Sequence, residues 1–250
     1  MGKKSREYTF NFMVILRKAK SFLRIVREDI KYISKYPPVI LKRMDYEEYW
    51  GEMQDINIKE RTRIFSKLIK PGSTVLDIGC GTGTNLKYLI EKNNVISEGI
   101  DISSTAVEMA KKRGINAWVS DITKEEFNLD KKYDYIIISE VLEHIPDPET
   151  LLSKIKDSFN LKLIVSVPNI GLYKHRLRLL FGRFPIQWAF NPGEHLKFWT
   201  LRDFKWWIQQ QGLKTVGMIA ANGFPIFYKH FPSLFGNQII FVLDKVKERK

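Results

Sequence analysis

The residues best suited to chemistry in this sequence begin with a glycine-rich segment at residues 77–83, which reads Asp-Ile-Gly-Cys-Gly-Thr-Gly. Glycines at this spacing let the backbone turn sharply and let a ligand approach it closely, because no Cβ stands in the way. Two common uses of such a loop are excluded. The loop of nucleotide hydrolases ends in Gly-Lys-Ser/Thr, which is absent here, and the dinucleotide fingerprint needs a glycine where Thr84 stands. The segment therefore predicts a binding loop for another kind of cofactor.

Polar residues follow the next apolar runs of the chain. Asp101 follows the second run, Asp121 follows the third, and Ser139 with Glu140 follows the fourth. If these runs are neighbouring parallel strands, their carboxyl ends meet at the edge where open α/β sheets bind ligands. Taken singly, either aspartate suits a helix cap equally well. Their order behind the glycine loop favours one shared site.

Two histidines are candidate general bases, because imidazole changes charge near neutral pH. His144 comes shortly after the fourth apolar run, and His195 lies in a later segment rich in aromatic residues. Each has an alternative structural interpretation, with its ring bonded to backbone. Glu140, Glu143 and His144 would share one face if their turn is helical. Cys80 is the only cysteine and lies inside the glycine loop, where we expect a small loop residue and not a nucleophile.

Short apolar runs rich in branched residues alternate with helical stretches from residue 74 onward. This alternation is typical of an α/β fold with a parallel sheet and helices on both faces. The predicted strands are 74–78, 95–100, 117–119, 133–138, 161–167, 214–220 and 238–243, and the predicted helices include 56–69 and 201–211.

With these elements in place, the sequence resembles the class I S-adenosylmethionine-dependent methyltransferases. Four matches in order carry the resemblance: the segment 77–83, Asp101, Asp121 and the stretch 133–145, which reads YDYIIISEVLEHI. The resemblance covers about residues 45–245. It implies a Rossmann-like, mostly parallel sheet of seven strands with a last antiparallel pair, and S-adenosylmethionine as the cofactor.

The resemblance also implies roles for individual residues. In this family the acid matching Asp101 accepts hydrogen bonds from both ribose hydroxyls, and the acid matching Asp121 contacts the adenine. The predicted cofactor-binding residues are Asp77, Gly79, Cys80, Gly81, Gly83, Asp101, Ile102, Asp121, Ile122, Ser139 and Glu140.

Within the family, the sequence is most similar to ubiquinone-pathway O-methyltransferases and to relatives like the methionine biosynthesis protein MetW. Residues of about 170–200 resemble the insertion that lies over the acceptor pocket in those relatives, which predicts a lid. The resemblance implies methyl transfer to a small-molecule or lipid/glycan-linked acceptor at oxygen, with His144 and His195 as candidate bases. The ubiquinone enzymes carry a triplet like Glu140, Glu143 and His144 associated with a divalent cation. Since metal-free relatives share its core, we predict no metal; Mg²⁺ would be the preferred ion.

Two other functions stay open. One is a non-catalytic binding or regulatory protein of the MetW kind, and the other is an RNA methyltransferase, suggested by the pI of about 9.6. Against nucleic acid, Ser139 to Leu142 stand where enzymes that methylate base amines carry an Asn/Asp-Pro-Pro-Tyr element. Nucleic acid is therefore not a predicted partner.

The net charge of +13 is concentrated in two places. Residues 1–43 hold 12 Lys and Arg against 3 acids, and residues 170–193 hold four and no acid. The rest of the chain is neutral. Residues 12–33 predict a basic amphipathic helix ended by Pro37-Pro38, which either binds an anionic membrane surface through residues 10–33 or packs on the body. We predict a helical extension at 1–43 and a cofactor-binding domain at 44–250.

The sequence predicts a cytoplasmic protein, with peripheral membrane contact through the first helix. No apolar run approaches the roughly 20 residues that a spanning helix needs. The early apolar stretch leads into basic residues and not into a cleavage site. A single cysteine leaves no disulfide framework.

Overall fold

The structure, a computed structural model, describes residues 19–34, 45–52, 57–185 and 194–246. Helix α1 covers residues 19–34 within this part of the chain. The predicted beginning of that helix at residues 12–18, its predicted end at Pro37-Pro38, and residues 186–193 of the predicted lid lie outside the described residues.

Seven strands form one sheet in the order β3-β2-β1-β4-β5-β7-β6. The first five strands in the chain are parallel to one another, whereas β7 runs antiparallel to both β5 and β6. The predicted Rossmann-like, mostly parallel sheet is confirmed. The strands are β1 (Thr74–Ile78), β2 (Ile96–Asp101), β3 (Asn116–Val119), β4 (Tyr133–Ser139), β5 (Phe159–Pro168), β6 (Leu213–Gly223) and β7 (Gly236–Lys245).

Helices cover both faces of the sheet, as predicted, and each face has its own apolar core. One core includes buried residues of α6 (Pro148–Ile155) and α8 (Leu201–Gln210), and the other includes residues of α3 (Glu60–Leu68), α4 (Thr84–Asn93) and α5 (Ser104–Lys112). Central strands such as β4 are buried on both faces, which explains their continuous apolar sequence. Helix α2 (Tyr46–Glu52) precedes α3 in the chain, and a 3₁₀ turn at Leu142–His144 follows β4.

Local sequence determines where three of these helices begin. The side chain of Ser103 accepts a hydrogen bond from the Ala106 amide before α5, and that of Asp147 does the same for Thr150 before α6. Thr200 caps α8 in the same way. Such caps satisfy amide groups that have no partner inside the helix. The α5 cap fixes the loop that follows Asp101.

The lid contains a helix that the sequence analysis did not predict, α7 (Tyr173–Leu180), and α1 packs along it. The Tyr173 hydroxyl donates to Asp29, and the Tyr32 hydroxyl lies 2.6 Å from Nδ1 of His175. The described part of α1 therefore packs on the body with one face, which was one of the two alternatives. Its exposed large apolar residues are Phe22, Leu23 and Ile30.

Two further short helices lie between β6 and β7, α9 (Phe227–His230) and α10 (Pro232–Phe235). Asn169, just past the end of β5, holds them in place. Its side-chain amide donates to the carbonyls of Ser233 and Gly236 at 3.2 and 2.9 Å. This excursion and the lid helix therefore lie at the same carboxyl edge of the sheet.

Candidate active site

The glycine loop between β1 and α4 is shaped by close contacts as well as by its turn. Gly79 and Gly81 have positive φ angles of 74° and 53°. A Cβ on Gly79 would lie 2.3 Å from Cγ2 of Val141, and one on Gly81 would lie 2.6 Å from the ring of Trp50. Residues with a side chain are excluded at both positions by backbone conformation and by space. The loop is therefore packed between the segment after β4 and helix α2.

A cavity of about 610 Å³ opens at the carboxyl ends of the parallel strands, beside this loop. That volume is in the range of a pocket for a cofactor together with part of a substrate. The structure brings most of the predicted cofactor residues to its wall. Those that line it are Gly79, Cys80, Gly81, Asp101, Ile102, Asp121, Ile122, Ser139 and Glu140.

Asp101 lies at the end of β2 with its carboxylate in the cavity wall. One oxygen accepts a hydrogen bond from the Gly81 amide at 2.8 Å, and the other accepts from the Ser103 amide at 3.0 Å. Burial raises the pKa of Asp101, against the effect of these amides. The side chain is thus fixed by the glycine loop on one side and by the start of α5 on the other.

Asp121 and Ile122 follow β3 and are half-buried in the same wall. One carboxylate oxygen of Asp121 accepts from the amide and the hydroxyl of Thr123, at 3.0 and 2.6 Å. This local turn fixes the direction of the aspartate. Ile102, next to Asp101, is exposed on the rim.

Asp77 and Gly83, the first and last residues of the predicted loop motif, do not line the cavity. Asp77 is fully buried behind it, where burial raises its pKa to about 8, and Asn85 donates a long hydrogen bond of 3.4 Å to it. Gly83 faces α5 and Ile115. Cys80 does line the cavity, but burial raises the pKa of its thiol, so it stays protonated and unreactive.

Glu140 does not join the cluster that its spacing suggested, because the turn after β4 is helical only from Leu142 onward. Its carboxylate accepts hydrogen bonds from the Ser166 hydroxyl and the Gln238 amide, both at 2.9 Å. Ser139 lies beside it, 3.0 Å from the same hydroxyl. The expectation that Glu140, Glu143 and His144 share one face is therefore wrong.

His144 and His195, the two predicted bases, do meet at the cavity wall. Their ring centroids are 4.2 Å apart, and the rings are at 73° to each other. Nδ1 of His144 lies 3.0 Å from the carbonyl oxygen of Glu194, which can only accept. That nitrogen therefore carries the proton, and Nε2 keeps its lone pair. Burial lowers the pKa of His144, and burial together with His144 lowers the pKa of His195 to about 2.

A methyltransferase domain family model matches residues 49–217, the glycine loop and the strand ends included. The chain belongs to this methyltransferase domain family. The predicted class I S-adenosylmethionine-dependent methyltransferase, with S-adenosylmethionine as cofactor, is thereby confirmed.

Relatives with curated names match only part of the chain. A ubiquinone biosynthesis O-methyltransferase of Pasteurella multocida is 36% identical over 97 residues, 33% of this chain and 40% of that protein. A protein of Homo sapiens named "Probable tRNA methyltransferase 9B" is 38% identical over 109 residues, 44% of this chain and 23% of that protein. The chain thus matches less than half of the length of either relative.

The fold is shared more widely than the sequence. A structure of the Trm112 methyltransferase activator in complex with a methyltransferase, from Haloferax volcanii, matches 82% of this chain and 100% of the chain compared. The TM-score is 0.61 at 16% identity. At this identity, the likeness shows the methyltransferase fold alone.

Glu143, beside the two histidines, completes a group that was not predicted in this form. Its oxygens are buried without a hydrogen-bond partner among the described residues, and Oε1 lies 3.9 Å from Nε2 of His144. Burial first, and then the charge of Glu140, raises the pKa of Glu143 well above its usual value. One donor atom each of Glu143, His144 and His195 lies within 4.8 Å of the others.

This donor set does not fit the Mg²⁺ that the resemblance would imply. Two of its three donors are imidazole nitrogens, whereas Mg²⁺ prefers oxygen ligands and keeps several waters. Glu140, which would have supplied a further carboxylate, is held by Ser166 and Gln238 instead. Methyl transfer at this site therefore does not depend on Mg²⁺.

Sequence reasoning missed two contributors to the site, Arg61 and helix α2. Arg61 lines the cavity, and its charge opposes the burial that raises the pKa of Asp77 and Glu140. Its Nε is buried without a hydrogen-bond partner among the described residues. Neither Arg61 nor α2 belongs to a recognisable local sequence motif, because both act on residues that are distant in the chain.

Helix α2 covers the cavity with aromatic side chains and is fastened by Glu47. The Glu47 carboxylate accepts from the Ser104 and Thr105 amides at 2.7 and 2.9 Å and from the Ser103 hydroxyl at 2.9 Å. These bonds, with those of Thr105 first, lower the pKa of Glu47 to about 2. The side chains that α2 places in the cavity wall are Tyr46, Tyr49 and Trp50.

Proposed function

We propose that this protein transfers the methyl group of S-adenosylmethionine to a hydroxyl oxygen of a small-molecule or lipid-linked acceptor. The observation that carries the proposal is the pair of neutral histidines, His144 and His195, in the wall of the cavity that also holds the glycine loop and Asp101. A hydroxyl acceptor needs a base for its proton, and a neutral buried imidazole supplies one.

The cofactor would lie along the carboxyl ends of β1, β2 and β3. Asp101 would bind the ribose hydroxyls, and Asp121 with Ile122 would contact the adenine. The guanidinium of Arg61, with its buried Nε, is suited to the cofactor's carboxylate. Gly79 and Gly81 leave the backbone free to approach the bound molecule.

The transfer itself is an in-line displacement. With S-adenosylmethionine bound, the acceptor oxygen would attack the methyl carbon, forming a carbon–oxygen bond while the carbon–sulfur bond breaks with its electron pair left on sulfur. The acceptor's proton goes to Nε2 of His144, whose opposite nitrogen is held by the Glu194 carbonyl. His195, whose ring packs edge-on against that of His144, keeps the His144 ring in position.

The acceptor side of the cavity suggests a partly apolar molecule. Leu196 lines the cavity and is half-exposed at its rim, and Phe198 beyond it packs edge-on against Phe184 at 6.1 Å. We also propose that residues 10–33, which include the helix predicted at 12–33, contact an anionic membrane surface. In the described residues, no helix has the length and apolar character to cross a bilayer.

RNA methylation is the second candidate, because one similar protein bears the name of a tRNA methyltransferase. A non-catalytic role, as in MetW-like regulatory proteins, is the third. These candidates differ in where a methyl group from the cofactor ends up.

The test is a labelling experiment with the purified full chain and methyl-labelled S-adenosylmethionine. The protein is incubated separately with the small-molecule, lipid and RNA fractions of the cells that produce it. We expect label in the small-molecule or lipid fraction, in a product with an ether or ester linkage. Label confined to RNA, or at nitrogen, would refute the proposal. Cofactor binding without labelling of any fraction would support the non-catalytic role.

A further inference from the structure

Three neighbouring segments at the carboxyl edge of the sheet expose large apolar side chains. They are α1, residues 179–184 at the end of α7, and residues 224–231 around α9; together we call them the basic apolar surface. Leu180 is 76% exposed and Ile226 is 73% exposed. The exposed apolar residues of the surface are Phe22, Leu23, Ile30, Leu179, Leu180, Phe181, Phe184, Ile226, Phe227 and Phe231.

Helix α1 touches both of the other segments, since Nη1 of Arg183 at the lid end donates to the carbonyl of Ser34 and the ring of Phe22 packs against that of Phe224. The ring of Phe22 on α1 lies 5.6 Å from that of Phe224, and Tyr173 at the start of α7 lies 5.7 Å from the same ring. Tyr32, in the last described turn of α1, bonds to His175. The apolar residues of the lid end, α1 and α9 therefore belong to one side of the molecule.

The same surface is positively charged. Residues 19–34, 173–184 and 224–235 hold nine Lys and Arg against two acids, and all of these cations except the buried Arg178 are at least partly exposed. Both acids are engaged, since Glu28 pairs with Lys31 and Asp29 is bonded by Tyr173. The exposed cations of the surface are Lys20, Arg24, Arg27, Arg176 and Lys229.

Apolar side chains interspersed with cations fit one kind of partner, an anionic lipid bilayer. The apolar groups enter the boundary between headgroups and acyl chains, while Lys and Arg remain with the phosphates. A second copy of this surface would bring like charges together, which is unfavourable. Nucleic acid would neutralise the cations but leave Leu180, Phe181 and Ile226 in water.

We propose that the basic apolar surface docks the protein on an anionic bilayer, with the end of the lid and α9 inserted beside α1. This inference rests on the membrane contact proposed for the first helix and extends it to elements far along the chain. Leu196, Phe198 and Phe184 run from the cavity rim to this surface, so docking places the rim next to the lipid.

Sedimentation of the full-length protein with phosphatidylcholine vesicles, with and without phosphatidylglycerol, tests the docking. The lid variant is L179S/L180S/F181S, and the α1 variant is F22S/L23S. The matched control, I96S/W206S, removes equally exposed apolar side chains elsewhere on the molecule. Circular dichroism and the melting temperature show that each variant is folded.

We expect the wild type and the control to bind vesicles containing phosphatidylglycerol, and both surface variants to bind at least about tenfold more weakly. If the lid variant binds vesicles as well as the wild type does, the inference that the lid end takes part in docking is overturned. Loss of vesicle binding in the α1 variant alone would then support membrane contact by the first helix only. Binding to neutral vesicles alone, or a dimer that does not bind vesicles, would overturn the inference. Vesicle binding needs no turnover. The labelling experiment therefore tests the methyl-transfer proposal independently of the docking.

Discussion

Nη1 of Arg178 donates a hydrogen bond of 2.5 Å to the backbone carbonyl of Tyr32, which joins the lid helix to the last described turn of α1. The same guanidinium reaches the carbonyls of Ile33 and Phe184, and the side chain is only 2% exposed. Helix C-termini carry carbonyls without partners and a partial negative charge, which a cation stabilises. Part of the lid's positive charge is therefore structural.

Replacing Arg178 tests this connection. R178A removes the donor from the part-buried carbonyls of Tyr32 and Phe184, and a buried group left unpaired costs about 1–3 kcal/mol. We expect the free energy of unfolding to fall by about 3 kcal/mol, with faster proteolysis within α1, measured by urea denaturation and limited trypsin digestion. R202A removes an exposed arginine from α8 and serves as the control. Equal stability of the two variants would show that the Arg178 contacts contribute nothing.

Asp101 is predicted to determine cofactor affinity. Asn at this position keeps one carbonyl oxygen for the backbone amides but loses the charge that strengthens hydrogen bonds to the ribose. Bonds to charged groups contribute about 1.5–3 kcal/mol each. D101N should therefore bind S-adenosylhomocysteine at least about tenfold more weakly in calorimetry. E108Q changes an exposed acid on α5 and should leave the affinity unaltered; an equal loss in both variants would contradict the assignment.

The pH dependence of turnover tests His144 as the base. Because its pKa is lowered below 6.5, the ring stays neutral as the pH falls through 6.5 and becomes protonated only at lower pH. The acid limb of kcat should therefore lie below pH 6.5. H144N keeps a donor for the Glu194 carbonyl but accepts no proton, and should lower kcat about 100-fold and abolish that limb.

His195 is the comparison for that experiment. Its pKa of about 2 keeps it neutral throughout an ordinary assay range, so it contributes no acid limb. H195N is expected to lower kcat less than H144N and to keep the limb. The reverse order of the two variants would transfer the role of base to His195.

Glu47 is predicted to act as a positioning residue for the cofactor pocket. E47Q weakens the bonds that hold α2 on the start of α5, so Trp50 and Tyr46 are no longer fixed over the cavity. We expect severalfold weaker binding of S-adenosylhomocysteine in calorimetry, with a larger effect on KM than on kcat. E52Q alters another exposed acid on the same helix. Identical affinities for E47Q and E52Q would show that α2 is held by other contacts.

The strands could be predicted from sequence because each is a short apolar run between turn residues. Their ends were less predictable, since pairing decides them. β6 was expected to end at residue 220, but it continues to Gly223, which pairs with Gly236 of β7. That most of the predicted site residues line one cavity could also be predicted, because these residues follow consecutive strands.

Contacts between residues far apart in the chain could not be predicted from the sequence. Leu196 donates to the carbonyl of Glu143 at 2.7 Å, and this bond brings His195 to His144. Spacing suggested Glu140 as their neighbour, but hydrogen bonds to β5 and β7 hold it elsewhere. Glu47 likewise looks like an ordinary surface acid until its partners, 56 to 58 positions later, are known.

The docking of α1 on α7 has a consequence for how the chain is made. Tyr32 and its partner His175 are 143 positions apart, so the ribosome releases the helix long before its binding face exists. Domains form during synthesis from the N-terminus onward, and contacts between distant segments come late. A nascent chain that has not yet reached residue 173 therefore carries an uncovered amphipathic helix, whose apolar face is open to chaperones until the lid is synthesised.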